Sequence, residues 1–192
     1  MNKLLGVGAA AGAASVTTAG VFYIKSGEKE ATIKQELQKL NKKILTSKSD
    51  TRWDIKAHIY GTSITNNPKL KIDDKNTITK EELSTWCSTT LEKTNSEDLY
   101  NKAKAWCLTP SVKDKLSKES KQILASLTTK LSEYKGHSNN EDLNIPTSEI
   151  GNKEKTNLQE SELKTWCNTY SEVELEDGTD KNYNRIVKWC TS

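Results

Sequence analysis

The side chains with the most chemistry to offer in this chain of 192 residues are four cysteines and two histidines. Cys87, Cys107, Cys167 and Cys190 each directly follow a tryptophan. Thiols can hold zinc, act as nucleophiles or pair with one another. Zinc needs ligands clustered at short spacing. The chain has no C-x-x-C, and His58 and His137 lie far from any cysteine in sequence. A nucleophile needs a positioned base, and the chain lacks G-x-S-x-G, H-E-x-x-H, a P-loop and G-x-G-x-x-G. The reading is therefore no catalytic residue, no cofactor and no metal ligand.

Pairing is the remaining use. The cysteines lie 20 residues apart in the first half and 23 in the second, each ending or interrupting an amphipathic segment. Two antiparallel helices joined by a short turn would bring such positions together. Cys87–Cys107 and Cys167–Cys190 are thus the first choice among three connectivities. Each closed loop would stabilise its unit by about 3 kcal/mol. The competing reading is four buried thiols in a reducing compartment, with the tryptophans alone packing the core.

Two other constellations fall short. Lys71 to Leu83 has the length of a calcium loop, but Lys71 and Lys75 stand where oxygen ligands belong and only Asp73 is acceptable. Gly151 to Leu163 is no better, so these acids read as caps for the following helices. His58 and Asp54, four residues apart, read as an exposed helical pair.

The elements that must position the cysteines come in duplicate. Glu82-Leu83-Ser84-Thr85-Trp86-Cys87-Ser88-Thr89 matches Glu162-Leu163-Lys164-Thr165-Trp166-Cys167-Asn168-Thr169. A second pair follows each, Trp106-Cys107 and Trp189-Cys190, with Tyr100 and Tyr183 six residues before its tryptophan. Leu83, Trp86, Tyr100 and Trp106, with Leu163, Trp166, Tyr183 and Trp189, are the expected repeat core. The tryptophans read as packing residues rather than ligand platforms. Lys42 to Ser47 resembles Lys121 to Ser126, which extends the repeat to units 27–109 and 110–192. Trp53 has no clear counterpart, although Tyr134 lies close to the equivalent place.

Helix signals follow the same division. Ile33, Leu37, Leu40 and Ile44 predict one helical stripe, and Trp53, Ala57 and Tyr60 a second after an Asp50 N-cap. Thr79 to Glu82 has the form of a capping box. Thr109-Pro110 predicts the start of the second unit, with an apolar stripe from Leu116 to Tyr134 that ends at Gly136. Residues 137–157 read as a loop, and no alternating strand pattern stands out.

Composition sets limits on partners. Hydrophobic residues make up 33% and charged residues 29%, which suits two small supported units better than one large core. The net charge is +3, and only Arg52 and Arg185 among 29 basic residues are arginine. Lysines interleaved with acids make solvated helix faces, not a nucleic-acid footprint.

At the N-terminus, Leu4 to Ile24 are 21 consecutive uncharged residues between Lys3 and Lys25. That length can cross a bilayer as a helix. Residues 1–25 therefore read as an uncleaved anchor that contacts the membrane through 4–24. The alternatives are a signal peptide cut between Ala19 and Gly20, or a soluble core helix weakened by its glycines. Charge does not set the orientation. The cysteines place the C-terminal part outside. The expected class is mostly α: a transmembrane helix, then two tandem helical units stapled by disulfides.

The Ala/Gly-rich N-terminal segment, the Lys/Ser/Thr-rich body and the recurring Leu-x-x-Trp-Cys segments resemble large paralogous families of uncharacterised membrane-anchored proteins in haemotropic mycoplasmas. The resemblance spans nearly the whole chain and rests on structural motifs. It implies a protein that faces the host, serving attachment to host-cell or serum proteins or antigenic variation. It supplies no catalytic residues. Two other expectations stand beside it, an accessory subunit of a membrane-associated complex and, behind that, an exported hydrolase.

Overall fold

The computed structural model describes residues 30–138, 142–176 and 180–192. The apolar run 4–24, read as an anchor or signal, lies outside the described residues. Among the described residues, no helix is long and apolar enough to cross a membrane.

The described chain is helical, with eight α-helices and four isolated antiparallel bridges. The first unit holds α1 (Ile33–Gln38), α2 (Trp53–Asn66), α3 (Lys80–Thr90) and α4 (Glu97–Trp106). The second holds α5 (Val112–Lys118), α6 (Thr128–Gly136), α7 (Glu160–Ser171) and α8 (Lys181–Cys190). Helices of 6 to 14 residues are too short to persist alone in water. Helices α1, α3, α5 and α8 start at side-chain caps, α2, α4 and α6 do not, and all persist through packing. Thr32 with Gln35, Thr79 with Glu82 and Ser111 with Asp114 form capping boxes at α1, α3 and α5.

Each unit has its own core. Ile33, Leu37, Trp53, Tyr60, Leu83 and Trp106 fill the first. Val112, Leu116, Leu127, Tyr134, Leu163 and Trp189 fill the second. Burying each such side chain contributes about 1.5–3 kcal/mol. Cys87–Cys107 ties α3 to α4 and Cys167–Cys190 ties α7 to α8, with Cα–Cα distances of 5.5 and 5.8 Å.

The repeat extends to individual hydrogen bonds. Ile33 N–H donates to Lys93 O and Val112 N–H to Val173 O, both at 3.0 Å. Leu45 N–H donates to Cys107 O and Leu124 N–H to Cys190 O, at 2.8 and 2.9 Å. The Tyr60 hydroxyl accepts from Ile72 N–H at 2.7 Å and the Tyr134 hydroxyl from Ile145 N–H at 3.1 Å. The Trp106 and Trp189 indoles donate to Leu70 O and Leu143 O.

These bonds correct several sequence expectations. Tyr134 answers Tyr60, and Trp53 answers Leu127, which lies seven residues before Tyr134 as Trp53 lies seven before Tyr60. The long apolar stripes are broken. Asn41 and Ser120 take left-handed backbone (φ 52° and 57°), after which Ile44 and Ile123 bridge to Leu108 and Thr191. Ser111, not Thr109, caps the first helix of the second unit. Asp50 caps nothing. Its carboxylate accepts from the Arg52 backbone N–H and guanidinium, and that guanidinium holds its pKa below the ordinary value. His58 is exposed, while Asp54 pairs with Lys80 at 3.3 Å. The loop expected over 137–157 contains two 3-10 turns, Thr147–Ile150 and Lys155–Asn157.

The units pack against each other through α2 and α5. Ile55 of α2 joins the core of the second unit. The Arg52 Nη1 donates to Leu175 O at 3.1 Å, and Lys43 N–H donates to the Glu174 carboxylate at 3.0 Å. Lys56, 6% exposed, donates to Ala105 O at 3.0 Å and lies 3.9 Å from Asp114. Burial pushes its pKa down, opposed by Asp114.

Candidate functional site

A surface feature built in both units lies beside the repeated Trp-Cys motif. On α3, Leu83 and Cys87 are four residues apart and both point into the core, at 0% exposure. That geometry sets Thr85, Trp86 and Thr89 on the flank. The flank of α7 carries Thr165, Trp166 and Thr169. The four threonines are exposed, so their recurrence is not explained by the core.

A loop rims each flank. Asp73 and Asp74 (φ 45° and 58°) and Gly151 and Asn152 (φ 70° and 58°) are consecutive left-handed pairs. Asp and Asn tolerate that region and Gly meets no penalty in it. Each pair turns the chain so that the next residue, Lys75 or Lys153, reaches a glutamate at the helix start. Lys75 meets Glu82 at 2.7 Å, and Lys153 meets Glu162. The Lys75 ammonium, with the Thr79 N–H, holds the Glu82 carboxyl down to about 2; Glu162 is lowered in the same way by Lys153 and the Gln159 N–H. Both carboxylates therefore stay ionised near neutrality, which suits structural pairing rather than proton transfer. The stretches that fall short as calcium loops thus serve as rims.

The clefts differ in what covers the tryptophan. Trp166 is 2% exposed, donates its indole N–H to Glu149 at 2.8 Å, and stacks on Tyr170 with centroids 5.3 Å apart. Burial raises the Tyr170 pKa, with Glu149 adding to the shift. Trp86 is half-buried, and Thr90 occupies the position of Tyr170. Trp53, Trp106, Trp166 and Trp189 each donate an indole hydrogen bond, whereas the Trp86 N–H meets no acceptor among the described residues. The rim differs as well, with Asp73 and Glu81 standing where the second unit has Gly151 and Ser161.

The sequence-derived core is placed as follows. Leu83, Leu163, Trp106, Trp166 and Trp189 are at most 2% exposed, and Tyr183 is 7% exposed. Trp86 and Tyr100 are only half-buried, so they are not the core residues their motif suggests. Tyr183 also bonds outside its copy of the motif. Its hydroxyl donates to Glu119, Lys115 sits 3.8 Å over its ring, and burial pushes its pKa up to about 12. Sequence reading missed Tyr60 and Tyr134 as a matched pair; their signal was the seven-residue spacing from Trp53 and Leu127.

A second hollow, at the junction of the units, is lined by Arg52, Lys115 and Lys118 against Asp54, Glu119 and Glu176. Its charges offset one another. Among the described residues, no group of three or more His, Cys, Asp or Glu side chains could hold a metal ion. The clefts can stack, donate and accept; neither sets a nucleophile against a base. No protein-family model, curated protein or solved structure matches the chain.

Proposed function

We propose that this protein is a non-catalytic binding or antigenic module, held at the outer face of a cell membrane by its N-terminal apolar run and presenting the two helical units to the surroundings. The observation that carries the reading is the pair of disulfides. All four cysteines are fully buried and bonded within their own units, an arrangement typical of oxidising compartments. The run of 21 uncharged residues at 4–24 supports export and anchoring. The half-open aromatic cleft with its polar rim supports binding rather than a reaction. Host-cell or serum proteins are the partners this reading implies.

The test is trypsin treatment of intact cells, with cytosolic proteins as protected controls. Release of peptides from 27–192 is the expected result, since all but two of the chain's 29 Lys and Arg residues lie there as cleavage sites. Protection in intact cells, with ready cleavage after lysis, would put the body inside and end the surface reading.

A further inference from the structure

We propose that the open cleft of the first unit binds a basic side chain of a partner polypeptide, an arginine or lysine laid over the face of Trp86. The second unit is the internal reference. There the ring is covered by Tyr170, its N–H is taken by Glu149, and the matching rim positions are the neutral Gly151 and Ser161. In the first unit three changes occur together: position 90 is threonine, the indole is partly exposed in a hollow, and the rim carries Asp73 and Glu81.

The added charges decide the occupant. Lys75, which also lines the cleft, is paired with Glu82 at 2.7 Å and feels the charge of Asp73, but neither Asp73 nor Glu81 makes an ion pair among the described residues, so the carboxylates of the cleft outnumber its one cation. Two carboxylates beside a partly exposed indole attract a cation and disfavour an anion. A cation over tryptophan gains from the ring quadrupole, and carboxylates at the rim strengthen the hold on guanidinium or ammonium. The free Trp86 N–H suits a backbone carbonyl of the bound segment. The chain as a whole carries +3, so a basic peptide is not drawn to it by net charge. Attraction has to be local.

This inference rests on the binding-module reading, but its test does not depend on where the protein resides. The full chain in mild detergent is labelled with 15N, and its five tryptophan indole signals are followed during titration with tri-arginine. The Trp86 signal is expected to move and saturate while that of Trp166 stays fixed. Tri-citrulline, which keeps the planar shape without the charge, should leave it unmoved. Asp73→Asn with Glu81→Gln should weaken the response at least about tenfold. Both positions are exposed and asparagine accepts left-handed backbone, so the fold is retained; the disulfides and the other indole signals check this. The proposal is overturned by an equal response to tri-citrulline, by an undiminished response in the double variant, by a response to choline and not to tri-arginine, or by none at all. Failure here with trypsin release from intact cells removes the ligand class alone; protection from trypsin removes the surface reading and leaves the cleft chemistry standing.

Discussion

The two units share a backbone plan and differ at their surfaces. Both close with Leu-to-Cys backbone bonds, both anchor a tyrosine hydroxyl on a loop N–H, and both seat a tryptophan on a loop carbonyl. Buried polar groups without partners are costly, so these connections tolerate little change. Outside the core the copies have separate tasks. Ile55 of α2 is apolar because α5 covers it, and the matching position on α6 is the exposed Thr129. In the first cleft Trp86 is partly exposed beside Asp73 and Glu81; in the second Tyr170 and Glu149 cover the ring, and Gly151 and Ser161 stand at those two rim positions. What recurs is what the fold needs; what differs is where each unit meets something else.

The largest effect expected is from the disulfides. Cys87→Ser with Cys107→Ser should cost about 3 kcal/mol, with hydrogen exchange accelerating first in α3 and α4. Cys167→Ser with Cys190→Ser should do the same for α7 and α8. Equal loss of protection in both units from either variant would show a single cooperative body. Next come the tyrosine anchors. Tyr60→Phe leaves the Ile72 N–H without its partner and should cost about 1–3 kcal/mol in urea unfolding. Tyr134→Phe should cost less, because its bond to Ile145 is longer. Ile55→Thr gives α2 the surface of α6 and should cost about 1–2 kcal/mol, by loosening the contact between units. A value within error of zero would remove Ile55 from that role.

Smaller still is Tyr170→Thr, which gives the second cleft the residue found in the first. Loss of the stacked ring should cost about 0.5–1.5 kcal/mol and make Trp166 accessible to acrylamide. The smallest effect is in pH dependence. The Glu82 pKa is about 2 in the fold against an ordinary 4.5, so the ionised form is favoured by folding. Its contribution is fully present above 4.5 and is lost as pH falls from there through about 2. Glu82→Gln should flatten that part of the curve, and Glu162→Gln should act in the same direction in the second unit.

Cysteine pairing and the Thr79 capping box were readable because each rests on local spacing. The repeat was readable only where the copies keep one offset. Leu83 and Leu163 are 80 residues apart, but Tyr60 and Tyr134 are 74 apart, because the approach to α6 is shorter and the loop after it longer. A fixed offset therefore leaves Trp53 without a clear counterpart, with Tyr134 merely close to its place. The stripes from Ile33 and Leu116 ran on too far for another reason. Ile44 and Ile123 still pack on the cores, but from extended chain after Asn41 and Ser120. Periodicity records which side chains are buried, not whether the backbone between them stays helical. Trp86 shows a further limit. Its local motif nearly repeats that of Trp166, and the difference in exposure comes from what covers the ring: Tyr170 one turn on and Glu149 from a preceding loop in the second unit, against Thr90 in the first.

The junction between the units has a mechanical consequence. Thr109 is bonded back to Lys43 by both its N–H and its hydroxyl, while Pro110 O accepts from Leu175 N–H, so successive residues are fastened to opposite units. No slack remains between them to act as a hinge. Bending the pair would break bonds on both sides at once, and exchange of one unit between two molecules would need a connection long enough to span them. Rotation of one unit against the other is thus opposed at both ends of the connection, by the Thr109–Lys43 bonds on one side and the Leu175–Pro110 bond on the other.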